Sequence, residues 1–397
     1  MALEHITVLD LTHMLSGPYG TMLLTDLGAR TIKVEPPGTG EATRRLLEHD
    51  PDYARQGMGA YFLTLNRSKR SVCIDLKSEA GRAVFLDLVR HADVVFDNFS
   101  VGVPRRLGIH HEALAEVNPR IVTCSVTGFG ETGPATDRPA FDQVVQAMGG
   151  GMSITGTPAT GPIRSGIPIG DLGGGLFGAL GVLAALAERE RTGRGRHVDI
   201  SMLDAQLSML NYMATMYLMS GIVPQGIGNG HFVHVPYNCY PTADGHVIVA
   251  CIGDAFFERF AEFIGIPELL DPALRQQPVR YAAKERVDEL VSAKMRTRST
   301  AEWVEALQRA RIPCGPVNDF AHALADPQAQ ARGMVVEVPL AGGGSVRQPG
   351  NPVKLSGAPE RPHTPPPPLG AHTDEVLGAI GYDAARLAAL RAAGAVA

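Results

Sequence analysis

ITVLDLT (residues 6–12), GPYGTMLLTDLGA (17–29) and RTIKVE (30–35) stand almost end to end. The first is a continuous apolar run closed by a polar turn, which reads as a strand. Gly17 and Pro18 then open a helix, and Pro18 suits a first helical turn. RTIKVE is the next strand, stopped by Pro36, Pro37 and Gly38. The alternation continues. SVCIDL (71–76), KSEAGRAVFLDLVRHA (77–92), DVVFDNF (93–99), HHEALAEVNP (110–119) and RIVTCSVTGF (120–129) read as strand, helix, strand, helix and strand. Strands separated by helices predict βαβ units, hence an α/β chain with a parallel sheet. Such sheets bind ligands beyond the carboxyl ends of their strands.

The middle of the chain is helical. FDQVVQAMGG (141–150) precedes a Gly/Pro-rich stretch, and an apolar helix is expected from about Leu172 to Arg189. RGRHVDISM adds a turn and a strand, and LDAQLSMLNYMATMYLMSG (203–221) a methionine-rich helix that reads as core or interface filler. Composition shifts after Gly221. Residues 223–245 read as a long Gly, Pro and His loop, HVIVACI as a strand, and two or three amphipathic helices follow to about Arg311. Strand-like segments return from Gly333, then a polyproline strap at 362–370 and a helical end. The expected division is a large domain of 1–221 with 333–397 and a small α+β domain of 222–332.

Composition narrows the function. The 397 residues are 45% hydrophobic and 19% charged, with a net charge of −5, which speaks against a nucleic-acid binder working by bulk electrostatics. No apolar run reaches membrane-spanning length without a glycine or charge, so no membrane partner is expected. Five scattered cysteines without a CxxC pair fit a reducing cytoplasm and exclude a cysteine zinc site. No P-loop, GxGxxG fingerprint, GxSxG elbow or HExxH is present.

Four local features bear on chemistry. In GDLGGG (170–175) Asp171 reads either as a helix N-cap or as a carboxylate nucleophile beside glycine amides. LTHMLSGP (11–18) ends the first strand, with His13 as a donor and free amides at the helix start. Basic residues in NRSKRS (66–71) and NFSVGVPRRLG (98–108) flank strand ends, where a nucleotide phosphate is held or where they are simply solvated. GNGHFVH, with Gly228, Gly230, His231 and His234, reads as a glycine-rich lid; no neighbouring ligand completes a metal site.

These segments, taken in order along nearly the whole chain, resemble the family III CoA-transferases, the group that includes formyl-CoA:oxalate and carnitine CoA-transferases. The resemblance rests on VLDLTHMLSGP, DLGARTIKVEPPGTGEATR, YFLTLNRSKRSVCIDLKSEAG, ADVVFDNFSVGVPRRLG, NPRIVTCSVTGFGETGP, GDLGGGLFGALGVLAAL, RTGRGRHVDISMLDA, IPCGPVND and PLGAHTDEVL. It implies a Rossmann-like large domain built from both chain ends, a small domain from the middle, and two subunits interlocked as a homodimer. It implies Asp171 as nucleophile. It also implies coenzyme A as co-substrate, with no tightly bound cofactor and no metal, and acyl-CoA and carboxylic acids as partners. CoA-contacting positions fall on His13, Met14, Leu15, Ser16, Asn66 to Lys69, Asn98, Phe99, Ser100 and Arg106, and on Pro139 to Asp142, including Phe141. The oxalate enzymes carry glutamine, arginine and lysine where this chain has Leu15, Pro36 and Pro139, which argues against oxalate; Arg44, Arg45 or Arg105 are the candidates to replace the lost charges. Arg164, His231 and His234 favour a dicarboxylic acceptor such as itaconate, mesaconate, citramalate or malate, with succinyl-CoA as donor.

The α-methylacyl-CoA racemases of the same superfamily are the alternative. They use a histidine–aspartate dipeptide where this chain has Phe141-Asp142. Racemisation needs an acid and a base on opposite faces of the α-carbon, and phenylalanine is neither.

Overall fold

The computed structural model describes residues 1–357 and 362–397. These divide into two compact units: residues 1–151, 164–222 and 331–397 form the first, and 152–163 with 223–330 form the second.

The first unit is built on six parallel strands: β1 (Thr7–Asp10), β2 (Arg30–Glu35), β3 (Arg70–Cys73), β4 (Val94–Asp97), β5 (Val122–Thr127) and β6 (His197–Ser201), in the order 3-2-1-4-5-6. The order reverses between β1 and β4, which pair from Val8↔Val94 to Asp10↔Phe96. Strand residues alternate between two cores. Leu9, Val34, Val72 and Val95 pack under α3 (Glu79–Val89) and α5 (His111–Val117), while Val8, Val94, Phe96 and Val126 face the other way. On that second face lie α1 (Ser16–Asp26) and the long α7 (Ile169–Thr192). By length and composition α7 would also cross a membrane, yet half of its most apolar window is buried here. Four further helices complete the framework of the site: α2 (Ala60–Leu65), α4 (Val103–Leu107), α6 (Asp142–Met148) and α8 (Met202–Met209).

α1 and α7 touch backbone to backbone. A Cβ added at Gly175 would sit 2.3 Å from Ser16 O, and one at Gly20 2.7 Å from Gly175 O. The glycines of the GDLGGG run therefore allow a close helix crossing. The free edge of β3 is covered by the end of the chain. Ser71 and His372 exchange bonds, Asp75 N donates to Ala395 O, and Ile74 bridges Val396.

Several expectations need correcting. α7 begins at Ile169, so Asp171 lies inside its first turn rather than before it. The methionine-rich stretch is two helices, α8 and α9 (Asn211–Ser220), broken where Asn211 takes φ +49°. Within the loop expected at 223–245, Tyr237–Pro241 is strand β7. It pairs with β8 (His246–Ala250), which also pairs with β9 (Cys314–Pro316), giving the antiparallel sheet of the second unit. Four α-helices rather than two or three lie between 254 and 309, around a core of Tyr240, Val249, Phe257, Phe260 and Trp303.

Candidate active site

The carboxyl end of β1 is held by a buried charged network. Lys69 Nζ donates to Asp10 Oδ2 (2.8 Å), Thr21 Oγ1 (2.8 Å) and Asn66 Oδ1 (3.2 Å). Lys33 Nζ donates to Thr12 O at 2.7 Å. Burial alone would raise the Asp10 pKa, but Lys33 and Lys69 outweigh it and hold the carboxyl well below the usual range. Burial lowers Lys69 to about 8, against the opposing charge of Asp10. Asn66 and Lys69 are thus enclosed, and Lys69 has its ammonium committed within the protein. Through Asp10 and Thr21 they brace the end of β1 and the start of α1. Arg44 is committed in the same way, on a two-pronged pair with Glu35 (2.6 and 2.7 Å).

The loop that follows β1 runs His13, Met14, Leu15, Ser16. Met14 takes φ +63°. Asn98, just after β4, clasps it from both sides: its Oδ1 accepts His13 N (2.9 Å) and its Nδ2 donates to His13 O (2.7 Å). Asn98 therefore shapes the loop. The His13 and Phe99 rings lie 5.9 Å apart. Both line a cavity of about 480 Å³, with Leu11, Pro36, Arg106 and Lys77 on its other walls. Burial first, and then the Lys33 charge, lowers the His13 pKa, favouring the neutral ring. Ser100 is exposed, and Ser16 is buried. Lys77 went unnoticed in the sequence; its signal was a lone basic residue directly after the strand SVCIDL.

Asp171 stands on the first turn of α7. The residue before that helix is Pro168, which has no side-chain acceptor to offer. Asp142, the first residue of α6, supplies the cap instead. Its Oδ1 accepts Gly170 N (2.8 Å) and Asp171 N (3.3 Å). Burial and then the Asp142 charge raise the Asp171 carboxyl to about 6. Tyr61 on α2 shares this environment: burial, then the charges of Asp171, Glu41 and Asp142, push its phenol to about 12. Tyr61 opens the apolar run YFLTL, where it looks like one more packing residue. Phe141 precedes Asp142 and is 71% exposed. Asp171 is thus not an N-cap, because Asp142 occupies that role from another helix. Gly173, Gly174 and Gly175 lie beyond the first turn of α7, where amides bond to the helix's own carbonyls, so they are withdrawn as oxyanion donors.

The glycine-rich loop belongs to the second unit. Gly228 N donates to Gly156 O at 2.7 Å, so this amide is committed within the second unit. His231 Nδ1 accepts Val233 N (3.0 Å) and His234 N (3.1 Å), and its ring stacks on Phe232 and Tyr237. Burial lowers its pKa, and His234 adds to this. Gly230 packs near Lys284. No group of three metal-ligating side chains occurs among the described residues.

Residues 3–373 match the family model of CoA-transferase family III. The chain belongs to that family. It is 41% identical over 365 residues to the acetyl-CoA:oxalate CoA-transferase of Acetobacter aceti, covering 91% of each chain. It is 36% identical over 384 residues to the succinate–glutarate CoA-transferase of Agrobacterium fabrum, covering 95% of each. A CAIB/BAIF family protein from Brucella suis has a similar structure, with a TM-score of 0.84 at 34% identity, covering 94% of this chain and 98% of its own. This family III member is a CoA-transferase.

Proposed function

We propose that this CoA-transferase moves coenzyme A from succinyl-CoA to a dicarboxylic acid through an aspartyl-CoA thioester on Asp171. The observation that carries the reading is the Asp171 carboxylate itself. It is fixed on the first turn of α7, and burial and Asp142 raise it to about 6. At neutral pH it is ionised, yet more basic than an ordinary aspartate, as a carboxylate nucleophile should be. One carboxylate oxygen attacks the thioester carbonyl, and CoA thiolate leaves to give a mixed anhydride. The thiolate attacks the aspartyl carbonyl, releasing the donor acid and forming the aspartyl thioester. The acceptor carboxylate then attacks this thioester, and the expelled thiolate attacks the acceptor's acyl carbonyl. Product acyl-CoA and the free Asp171 carboxylate result.

CoA is the co-substrate, and no tightly bound cofactor takes part. Its nucleotide end is assigned to the cavity lined by His13, Phe99, Arg106 and Lys77, and its thiol end to the path past Met14, Leu15 and Ser16 towards Asp171. Holding the nucleotide keeps the thiolate in place between steps. The dicarboxylic acceptor is supported by the relatives that act on oxalate and glutarate. Itaconate, mesaconate, citramalate and malate are the further candidates. We also assign a Rossmann-like large domain, a cytoplasmic setting, and an interlocked homodimer. The exposed apolar Leu207, Met216, Leu218 and Met219 on α8 and α9 support the dimer.

The test is trapping. The protein is mixed with succinyl-CoA and quenched with hydroxylamine or borohydride, and its peptides are weighed. A mass change confined to the peptide carrying Asp171 is expected, together with loss of transfer and retention of CoA binding in Asp171→Ala. An unmodified Asp171, with deuterium entering the α-carbon of a 2-methylacyl-CoA, overturns the reading in favour of a racemase.

A further inference from the structure

We propose that Gln146 is a positioning residue of the transfer reaction. Its side-chain amide sets the orientation of the Asp142 carboxylate, and through it the turn that carries Asp171. The inference rests on Asp171 being the nucleophile.

Gln146 lies four residues after Asp142 on α6, on the same helix face, and is 2% exposed. Its Nε2 donates to Asp142 Oδ2 at 2.7 Å. Its Oε1 accepts Ser165 N at 2.9 Å, from the segment that leads into α7. Both ends of the amide are thus committed. Turning it over would set N–H against N–H and oxygen against a carboxylate, so only one orientation fits. With Oδ2 held, Asp142 presents Oδ1 to Gly170 N and Asp171 N. A second glutamine, Gln206 on α8, donates to Ile169 O at 3.2 Å and fastens the same turn from another side.

The chain of contacts is short and directional. Gln146 aims Asp142, Asp142 caps α7, and the cap fixes the backbone that bears the nucleophile. Without the amide, Asp142 Oδ2 loses its donor and the carboxylate is free to rotate. Rotation frees the first turn of α7. The titratable groups around the pair are Asp171 on α7 and Tyr61 on α2, with Glu41 acting on Tyr61 from the loop after β2. Gln146 itself touches none of the reacting atoms in this arrangement, so its loss should appear in kcat and not in the KM for the CoA ester.

The experiment follows exchange of deuterated succinate into succinyl-CoA, which needs no second acid, in full-length Gln146→Leu and Gln146→Glu. Gln146→Leu is expected to lower kcat about 10–100-fold with KM for succinyl-CoA nearly unchanged. Gln146→Glu is the sharper probe. When the introduced side chain is protonated, its O–H replaces the amide N–H to Asp142 and its carbonyl still accepts Ser165 N. Exchange should therefore stay close to wild type near pH 6.5 and fall away towards pH 9, where the wild type stays level. A loss confined to high pH is not produced by a merely structural defect. Unchanged kcat in Gln146→Leu overturns the proposal. So does a Gln146→Glu profile that follows the wild type, or one that is flat and inactive in protein that still binds CoA. If Gln146→Leu does not fold, the Gln146→Glu profile alone decides. Failure of the nucleophile reading is separate: it shows in the wild type, as absent labelling of Asp171.

Discussion

Replacing Asp171 by asparagine should make the protein more stable while abolishing transfer. The side chain keeps its size and loses its charge. The Asp171 carboxyl stands at about 6 in the fold against an ordinary value of 3.8, because burial and Asp142 disfavour the charged form. The native state therefore binds this proton more tightly than the unfolded chain does. The stabilisation is fully present below pH 3.8 and is lost as pH rises through 6, so above pH 6 the ionised carboxylate is a standing cost. At about 1.36 kcal/mol per pH unit, the gap between 3.8 and 6 sets a ceiling of roughly 3 kcal/mol. Asp171 is partly exposed, and solvent screening reduces this to about 1–2 kcal/mol. Unfolding entropy near 2.1 cal/mol/K per residue over 397 residues converts that to a Tm rise of about 1–2 °C. Scanning calorimetry of both proteins at pH 8 and pH 5 is the assay. The rise should be full at pH 8 and about half as large at pH 5. A variant less stable than wild type at pH 8, or a difference independent of pH, would refute the reasoning.

Other outcomes follow from the same geometry. The wild-type kcat should fall as pH drops through about 6, and Asp142→Asn should move that limb towards 3.8; a limb that stays put in a pH–rate series removes the coupling between the two carboxyls. Lys69→Met strands the Asp10 carboxylate in the interior and should cost about 3–5 kcal/mol, read by thermal unfolding, while the folded fraction keeps CoA affinity within a few-fold. A large loss of CoA affinity in stable protein would restore Lys69 as a direct contact. Gly175→Ala forces a Cβ against Ser16 O and should cost about 1–3 kcal/mol, whereas Gly166→Ala, which meets nothing within 4 Å, should fall within about 0.5 kcal/mol of wild type; thermal melts of the pair compare them.

The parallel sheet was legible because its strands are local runs of apolar and β-branched residues, each bounded by its own turn. Asp171 was legible as a position, since an acid among glycines before an apolar stretch is unusual. Its setting was not. The cap comes from Asp142, 29 residues earlier, and nothing between the two segments announces that its carboxylate reaches the start of α7. The GDLGGG run suggested glycine amides beside the acid, but Gly174 and Gly175 are explained by Ser16 and Gly20, which lie far away in sequence and close in space. Lys69 read as a CoA contact or a solvated charge at a strand end; only the fold brings it to Asp10, 59 residues distant. Strand β7 was hidden by the prolines and glycines around it, its pairing with β8 being decided by partners outside the loop.

The β3 edge also has a meaning for biosynthesis. Residues 331–397 belong to the first unit, yet they are translated after every residue of the second. While they are awaited, β3 presents unpaired amides and carbonyls that Ser71, Cys73 and Asp75 will later share with His372, Ala395 and Ala397. The nascent chain thus carries an open strand edge through most of its synthesis, with a second unit able to fold in the meantime. Expression at lower temperature, or with chaperones that shield exposed strands, should raise the soluble yield of this protein more than that of one whose sheet closes in the order it is made.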